Sequence, residues 1–278
     1  MPPAAYLELT KPRILGMVLV TTAIGFALAN DGLAPYALLG WTLLGTALAS
    51  GGAGALNHYF ERDADERMAR TRNRPLPAGL IPPWQALALG LLLSAAGCGI
   101  LLIFANRLAA LLALATIVLY VVVYTPMKRL SWWNTPVGAI PGAIPPLIGW
   151  AAATGRLETG AWVLFFILFL WQHPHFYAIA WMFREDYAAG GFRMLPVVQP
   201  DGKNTFRLSL ASCIVLIPVS LWPTFVRMCG WVYFTGALVI GLWFLAACIR
   251  WRMTESNVDA RRVLRVSVIY LPVLLLLI

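Results

Sequence analysis

Asn57-His58-Tyr59-Phe60-Glu61-Arg62-Asp63-Ala64-Asp65 begins inside a stretch, 32–60, that carries no charge, and ends in a dense run of ionisable residues. About 20 apolar residues suffice for a helix to cross a bilayer. An uncharged run of that length leading directly into acids at helical spacing predicts one continuous helix that crosses a membrane and carries polar chemistry at its end. On a helix of 3.6 residues per turn, Asn57, Glu61 and Asp65 stand at i, i+4 and i+8 and form one stripe that drifts by only about 40° per step. Met68 continues the stripe, whereas Asp63 and Glu66 lie on the far side.

The rest of the chain repeats this pattern without the acids. Charge is also absent over 14–30, 75–106, 108–127, 130–155, 159–183, 208–226, 228–249 and 266–278, which gives nine expected spans, the last being short. Of the 278 residues, 60% are hydrophobic and 12% charged; a soluble globular domain carries about twice that charge. The expected fold is therefore all-α and polytopic, a single membrane domain over 1–278 with no soluble domain. The first apolar stretch follows Lys11-Pro12-Arg13 without a small-residue cleavage site, so it is expected to remain as a span.

With the N-terminus in the cytoplasm, 18 of the 21 Lys and Arg fall on that side, and only Arg107, Arg156 and Arg227 fall opposite. This asymmetry orients a multi-pass protein in a bacterial inner membrane or its equivalent, with the polar loops 57–78 and 184–207 cytoplasmic. The net charge of +9 resides in these short loops, beside the lipid bilayer, which argues against nucleic acid as a partner. Cys98, Cys213, Cys229 and Cys248 lack metal-ligand spacing and read as small buried hydrophobes.

Carboxylates at a membrane surface suit Mg²⁺, which takes oxygen ligands, keeps several waters and is typically held by one or two carboxylates plus substrate phosphates. Asn57 and Asp65 are about 12 Å apart along a helix axis, so the stripe cannot cage one ion directly. Arg70, Arg72 and Arg74 follow, and Arg suits bidentate phosphate recognition. Asp186, in Arg184-Glu185-Asp186-Tyr187, is a candidate further metal arm. Lys128-Arg129 read either as an orientation signal or as anion contacts. His173 and His175 lie within a span, where ionisable residues are functional candidates by default; their i, i+2 spacing around Pro174 places them on different helix faces. The Gly/Pro-rich run 136–149 reads as a kinked, closely packed helix or as a broken helix lining a cavity.

Several of these motifs, in order, resemble the haem-farnesylating branch of the UbiA superfamily of intramembrane prenyltransferases. The resemblance runs from Tyr6-Leu7-x-Leu9-Thr10-Lys11-Pro12-Arg13 through Asn57-x3-Glu61-x3-Asp65-x2-Met68-x-Arg70-Thr71-x2-Arg74-Pro75-Leu76 and Asn134-Thr135-x2-Gly138-Ala139-x2-Gly142-Ala143-x-Pro145-Pro146. It closes with Pro174-His175-Phe176 and Asp186-Tyr187-x3-Gly191-x2-Met194-Leu195-Pro196. The superfamily motif usually has Asp where this chain has Glu61. Quinone-forming relatives carry a second Asp-x3-Asp, whereas here Gly190 stands four residues after Asp186, which leaves a second ion with fewer carboxylates.

The resemblance implies a UbiA-type bundle around a central cavity. It also implies transfer of a farnesyl group from farnesyl diphosphate to a vinyl group of haem b, with water adding a hydroxyl, to give haem O and diphosphate. The product would pass to the next enzyme of haem A synthesis. On this reading Asn57, Glu61, Asp65 and Asp186 serve Mg²⁺. Arg70, Arg74, Lys128 and Arg129 meet diphosphate or haem propionates, and His175 contacts haem, while His173 carries no constraint; the ring faces of Trp132, Trp133, Tyr59 and Tyr124 are candidates to stabilise the allylic cation. The rival readings are a UbiA-type enzyme acting on an aromatic quinone precursor and, in a different class, an ion-coupled transporter.

Overall fold

The computed structural model describes residues 3–278, and every regular element among them is helical. A short helix α1 (Pro3–Leu9) precedes α2 (Pro12–Ala29) and the long α3 (Tyr36–Arg67). Helix α4 (Pro83–Ile100) continues in π-type turns over Leu101–Ala105. Helix α5 (Arg107–Ile117), π-type turns over Val118–Tyr124 and α6 (Thr125–Leu130) form one rod. Helices α7 (Asn134–Ala143) and α8 (Pro145–Thr154) are broken at Ile144, and α9 (Thr159–Met182) follows. Two short helices, α10 (Arg184–Ala189) and α11 (Leu195–Val198), lead to α12 (Lys203–Phe225), α13 (Trp231–Thr254) and α14 (Asn257–Leu277).

Nine rods therefore correspond to the nine uncharged stretches, and seven of them are both long and apolar enough to cross a bilayer. The other two are α3, diluted by Gly and Ala, and α14, whose first half is charged. The short ninth stretch needs correcting: the helix begins not at 266 but at Asn257 and runs for 21 residues. The charged segment 250–265, between the uncharged stretches 228–249 and 266–278, is almost entirely helical. Ser256 caps α14 by accepting from the Asp259 N–H at 3.1 Å, and Arg250 and Arg262 pair with the Asp259 carboxylate. Ser256-x-x-Asp259 is thus a capping pattern, readable in the sequence, that starts a helix among charges. Bulky apolar side chains such as Leu92, Ile103, Trp231, Val232 and Leu276 are exposed around the rods, as a lipid-facing surface requires.

Two cores hold the bundle. One joins α2, α3, α5 and α8 around Phe26, Leu56, Leu147 and Ile148; the other joins α9, α12, α13 and α14 around Tyr177, Phe206, Phe244, Trp251 and Tyr270. Helix α9 contributes to both. The Gly/Pro run packs rather than opens: α2 and α8 cross so closely that a Cβ on Gly149 would lie 1.9 Å from the Thr22 carbonyl oxygen, and one on Gly25 would lie 2.1 Å from that of Pro146. Because backbone meets backbone there, neither side can yield. Gly149→Val is expected to prevent assembly, seen as loss of the monodisperse detergent-purified species, whereas Gly16→Ala, facing open space, leaves it intact.

Helix α3 positions the polar end. At 1.5 Å per residue its 32 residues span about 48 Å, well beyond the roughly 30 Å of hydrocarbon. The excess is long enough to carry the polar end, Asn57–Asp65, toward or past the edge of the apolar layer.

Candidate active site

The acidic stripe turns inward as its spacing predicts. Asn57, Glu61, Asp65 and Met68 are buried, while Asp63 and Glu66 are exposed. Each polar member of the stripe meets a cation from a different part of the chain. Lys11 Nζ donates to Asn57 Oδ1, Lys128 Nζ to Glu61 Oε1 at 2.6 Å, and Arg74 Nη1 to both Asp65 oxygens at 2.9 and 2.8 Å. Three cations and two carboxylates interleave over two turns of one helix. Arg74 comes from the loop that follows α3, whose Thr71 hydroxyl bonds the Asp65 carbonyl at 2.9 Å.

Lys11 enters between α1 and α2 with φ 54°. Its Nζ also reaches the Tyr120 hydroxyl at 3.1 Å. Burial pushes the Lys11 ammonium down to about 7, opposed by the nearby Glu61 carboxylate. The sequence reading used Lys11 only for orientation and motif matching and missed this contact, because the lysine lies 46 residues from Asn57. The π-type turns before α6 were equally unforeseen. They stack Tyr120 on Tyr124 at 5.5 Å and bring Tyr124 under Lys128, whose Nζ lies 4.6 Å from the ring centroid. π-type turns recur at functional sites because they re-aim side chains within a continuing helix. Thr125 completes this wall, accepting from Asn57 Nδ2 at 3.0 Å. His58, also not singled out, is buried, and its Nδ1 has no partner among the described residues.

The remaining candidates separate. Asp186 lies on α10, half-buried, and accepts from the Ala69 N–H at 3.2 Å, at the rim of the buried stripe. Arg70 is exposed, donates to the Tyr187 hydroxyl at 3.2 Å and lies over the Phe183 and Tyr187 rings. These contacts clasp α10 to the end of α3. Arg129 is exposed. Tyr59 is engaged by Arg62 at 4.7 Å, and Trp132 stacks on an exposed Trp133 at 4.6 Å, so among the aromatic candidates only Tyr124 lies against Lys128. Arg129→Gln is accordingly expected to change turnover by no more than about two-fold, as for a surface substitution. Arg74→Gln, which strips the buried Asp65 of its partner, is expected to cost about ten-fold or more; steady-state assay of both variants checks the contrast.

The two histidines occupy different faces. His173 Nδ1 meets the Phe169 carbonyl of its own helix at 2.7 Å, whereas His175 Nδ1 meets Ser267 Oγ of α14 at 2.8 Å and its ring stacks on Trp171. Gln172, immediately before His173, ties α9 to α7 through the Ala139 carbonyl at 3.1 Å.

Among the described residues no three His, Cys, Asp or Glu side chains converge as a metal cage. Two buried carboxylates beside an amide oxygen nonetheless offer the kind of oxygen donors that Mg²⁺ takes together with phosphate and water, so the donor chemistry fits that ion. Positive side chains interleaved with those carboxylates suit a polyanion that arrives with a divalent cation.

Residues 18–269 match the UbiA prenyltransferase family. The chain is 48% identical to protoheme IX farnesyltransferase of Solibacter usitatus, over 97% of this chain and 95% of that protein. It is 46% identical to the enzyme of the same name from Salinibacter ruber, over 96% and 94%. Among solved structures it resembles a digeranylgeranylglyceryl phosphate synthase, with TM-score 0.83, 17% identity and coverage of 98% and 95%. It also resembles a UbiA homologue from Archaeoglobus fulgidus bound to GPP and Mg²⁺, with TM-score 0.74, 15% identity and coverage of 98% and 99%.

Proposed function

The chain belongs to the UbiA prenyltransferase family, and we propose that it transfers a farnesyl group from farnesyl diphosphate to haem b, with the interleaved cluster at the end of α3 as its diphosphate site. The near full-length identity to enzymes named for protoheme IX farnesylation carries the reading of the reaction. In the balanced reaction, the bond between farnesyl C1 and the diphosphate oxygen breaks, and C1 bonds to the terminal carbon of a haem vinyl group. Water adds as hydroxyl to the inner vinyl carbon and releases one proton. Haem O and diphosphate leave, and the next enzyme of haem A synthesis is the proposed recipient of haem O.

Lys128 and Arg74 supply fixed positive charge where the leaving diphosphate gains negative charge, in a site of low water content where such charges act strongly; Lys11 adds a hydrogen-bond donor beside them. Asn57, Glu61 and Asp65, with Asp186 from the rim, are the proposed holders of Mg²⁺, which supplies Lewis-acid stabilisation of the phosphate oxygens when bound. Tyr124 offers a ring face to the allylic cation, a contact of about 0.5–2 kcal/mol. Arg70, at the rim, is the proposed propionate contact and His175 the haem contact. The isoprenoid tail lies among the rods, which shield the cation from premature capture by water.

Diphosphate release measured with each substrate alone and with both tests the reading. Release is expected only when haem b and farnesyl diphosphate are present together. Release driven equally well by an aromatic quinone precursor would overturn it in favour of the quinone-type alternative, and no release with any acceptor would reopen the transporter reading. The transporter reading is disfavoured because its ionisable sites should lie near the midplane, whereas this cluster sits at one end of the rods.

A further inference from the structure

His175 makes one hydrogen bond whose direction is determined by its neighbour. Ser267 Oγ lies 2.7 Å from the Leu264 carbonyl oxygen and 2.8 Å from His175 Nδ1, and Ser267 is fully buried. A carbonyl oxygen only accepts, and a serine hydroxyl has one proton. Both contacts are hydrogen bonds only if Ser267 donates to Leu264 and accepts from His175. The imidazole must then carry its proton on Nδ1, leaving Nε2 as the basic nitrogen with no protein partner among the described residues. Residue 267 holds the same face of α9 a second time: Trp171 Nε1 donates to its carbonyl at 2.8 Å, and the indole stacks on the His175 ring at 4.9 Å and 26°. The imidazole is thus fixed in tautomer by the hydroxyl and in plane by the indole. His175 lies seven residues before the end of α9 and Glu61 six before the end of α3, so both sit about 10 Å below the ends of rods that terminate on the same side of the bundle.

We propose that Ser267 is a positioning residue for haem: held by the Leu264 carbonyl, it keeps His175 in the Nδ1–H tautomer so that Nε2 is presented to the iron of the haem substrate. The inference rests on the proposed haem contact of His175. A ligating histidine whose second nitrogen donates a hydrogen bond is a stronger and better-oriented ligand, and loss of that partner typically lowers metal affinity by 10- to 100-fold.

The test uses the purified full-length protein in lipid nanodiscs, titrated with haem b, with Ser267→Thr and Ser267→Val as an isosteric pair that keeps or removes the hydroxyl. The readouts are the haem dissociation constant, the iron–histidine stretching band of the ferrous complex, and KM for each substrate. Ser267→Thr is expected to match the parent. Ser267→Val is expected to weaken haem binding by about ten-fold or more, to lower the stretching frequency and to raise KM for haem, with KM for farnesyl diphosphate unchanged. Equal affinity and an unshifted band in Ser267→Val would overturn the positioning role. His175→Ala separates this failure from that of the underlying reading: if it retains the histidine–iron band, His175 is not the ligand and both fall. If it loses the band while Ser267→Val is indistinguishable from Ser267→Thr, only the role of Ser267 falls. Should Ser267→Val not yield folded protein, the parent and Ser267→Thr still decide: a band lying at the frequency of a histidine whose second nitrogen makes no hydrogen bond would overturn the proposal.

Discussion

Glu61→Gln and Asp65→Asn are each expected to lower haem O formation by about 10²- to 10³-fold, the scale seen when a charge-stabilising group is removed from a transition state. The substitutions keep the shape of the side chains and remove only the negative charge. Glu61 is held at 2.6 Å by Lys128, and Asp65 by Arg74 through both oxygens. Neutralising either carboxylate therefore costs the site both a proposed metal ligand and the register of a cation. Haem binding, measured separately, is expected to persist, because His175 lies on α9 and bonds to α14. Turnover in either variant within about two-fold of the parent, no more than a surface substitution produces, would remove that carboxylate from the machinery.

Lys128→Met carries the second large effect, and it acts on folding as well as on turnover. The ammonium and its partner carboxylate are only 13% and 5% exposed. Removing one member of a buried pair leaves an uncompensated charge and costs about 3–5 kcal/mol, whereas replacing both members by well-packed hydrophobic residues of similar volume is often neutral or stabilising. Lys128→Met alone is therefore expected to be both unstable and inactive. The double variant Lys128→Met, Glu61→Met is expected to regain most of the parent's thermal stability in detergent while remaining inactive. That split separates the catalytic use of the pair from its structural cost. Restoration of turnover along with stability would mean that the pair serves packing alone.

The stripe was legible because helical periodicity sorts side chains by face: Asn57, Glu61 and Asp65 are buried, and Asp63 and Glu66 are not. The nine rods were legible because long uncharged stretches have few other solutions in lipid. What escaped the sequence reading depends on distant contacts or on backbone departures without a composition signal. Lys11 looked like a membrane-flanking cation because nothing local shows that it reaches Asn57 and Tyr120. Lys128 and Arg129 looked alike, and only the fold turns one inward and leaves the other exposed. The π-type turns that place Tyr120 and Tyr124 have no sequence signature in a run of Val and Tyr. The start of α14 was readable in Ser256-x-x-Asp259 but was obscured by the charges that follow, which a span by composition would exclude. Asp186 was grouped with the metal because it is acidic and in a cytoplasmic polar loop, and the fold places it on the rim, against Ala69.

The mass of the porphyrin recovered after incubating the purified protein with haem b, farnesyl diphosphate and Mg²⁺ tests the central claim most directly. The account predicts haem b increased by one farnesyl group and one hydroxyl, formed in step with diphosphate. Unmodified haem b after the diphosphate has been released, or a farnesylated product on another acceptor only, would contradict it.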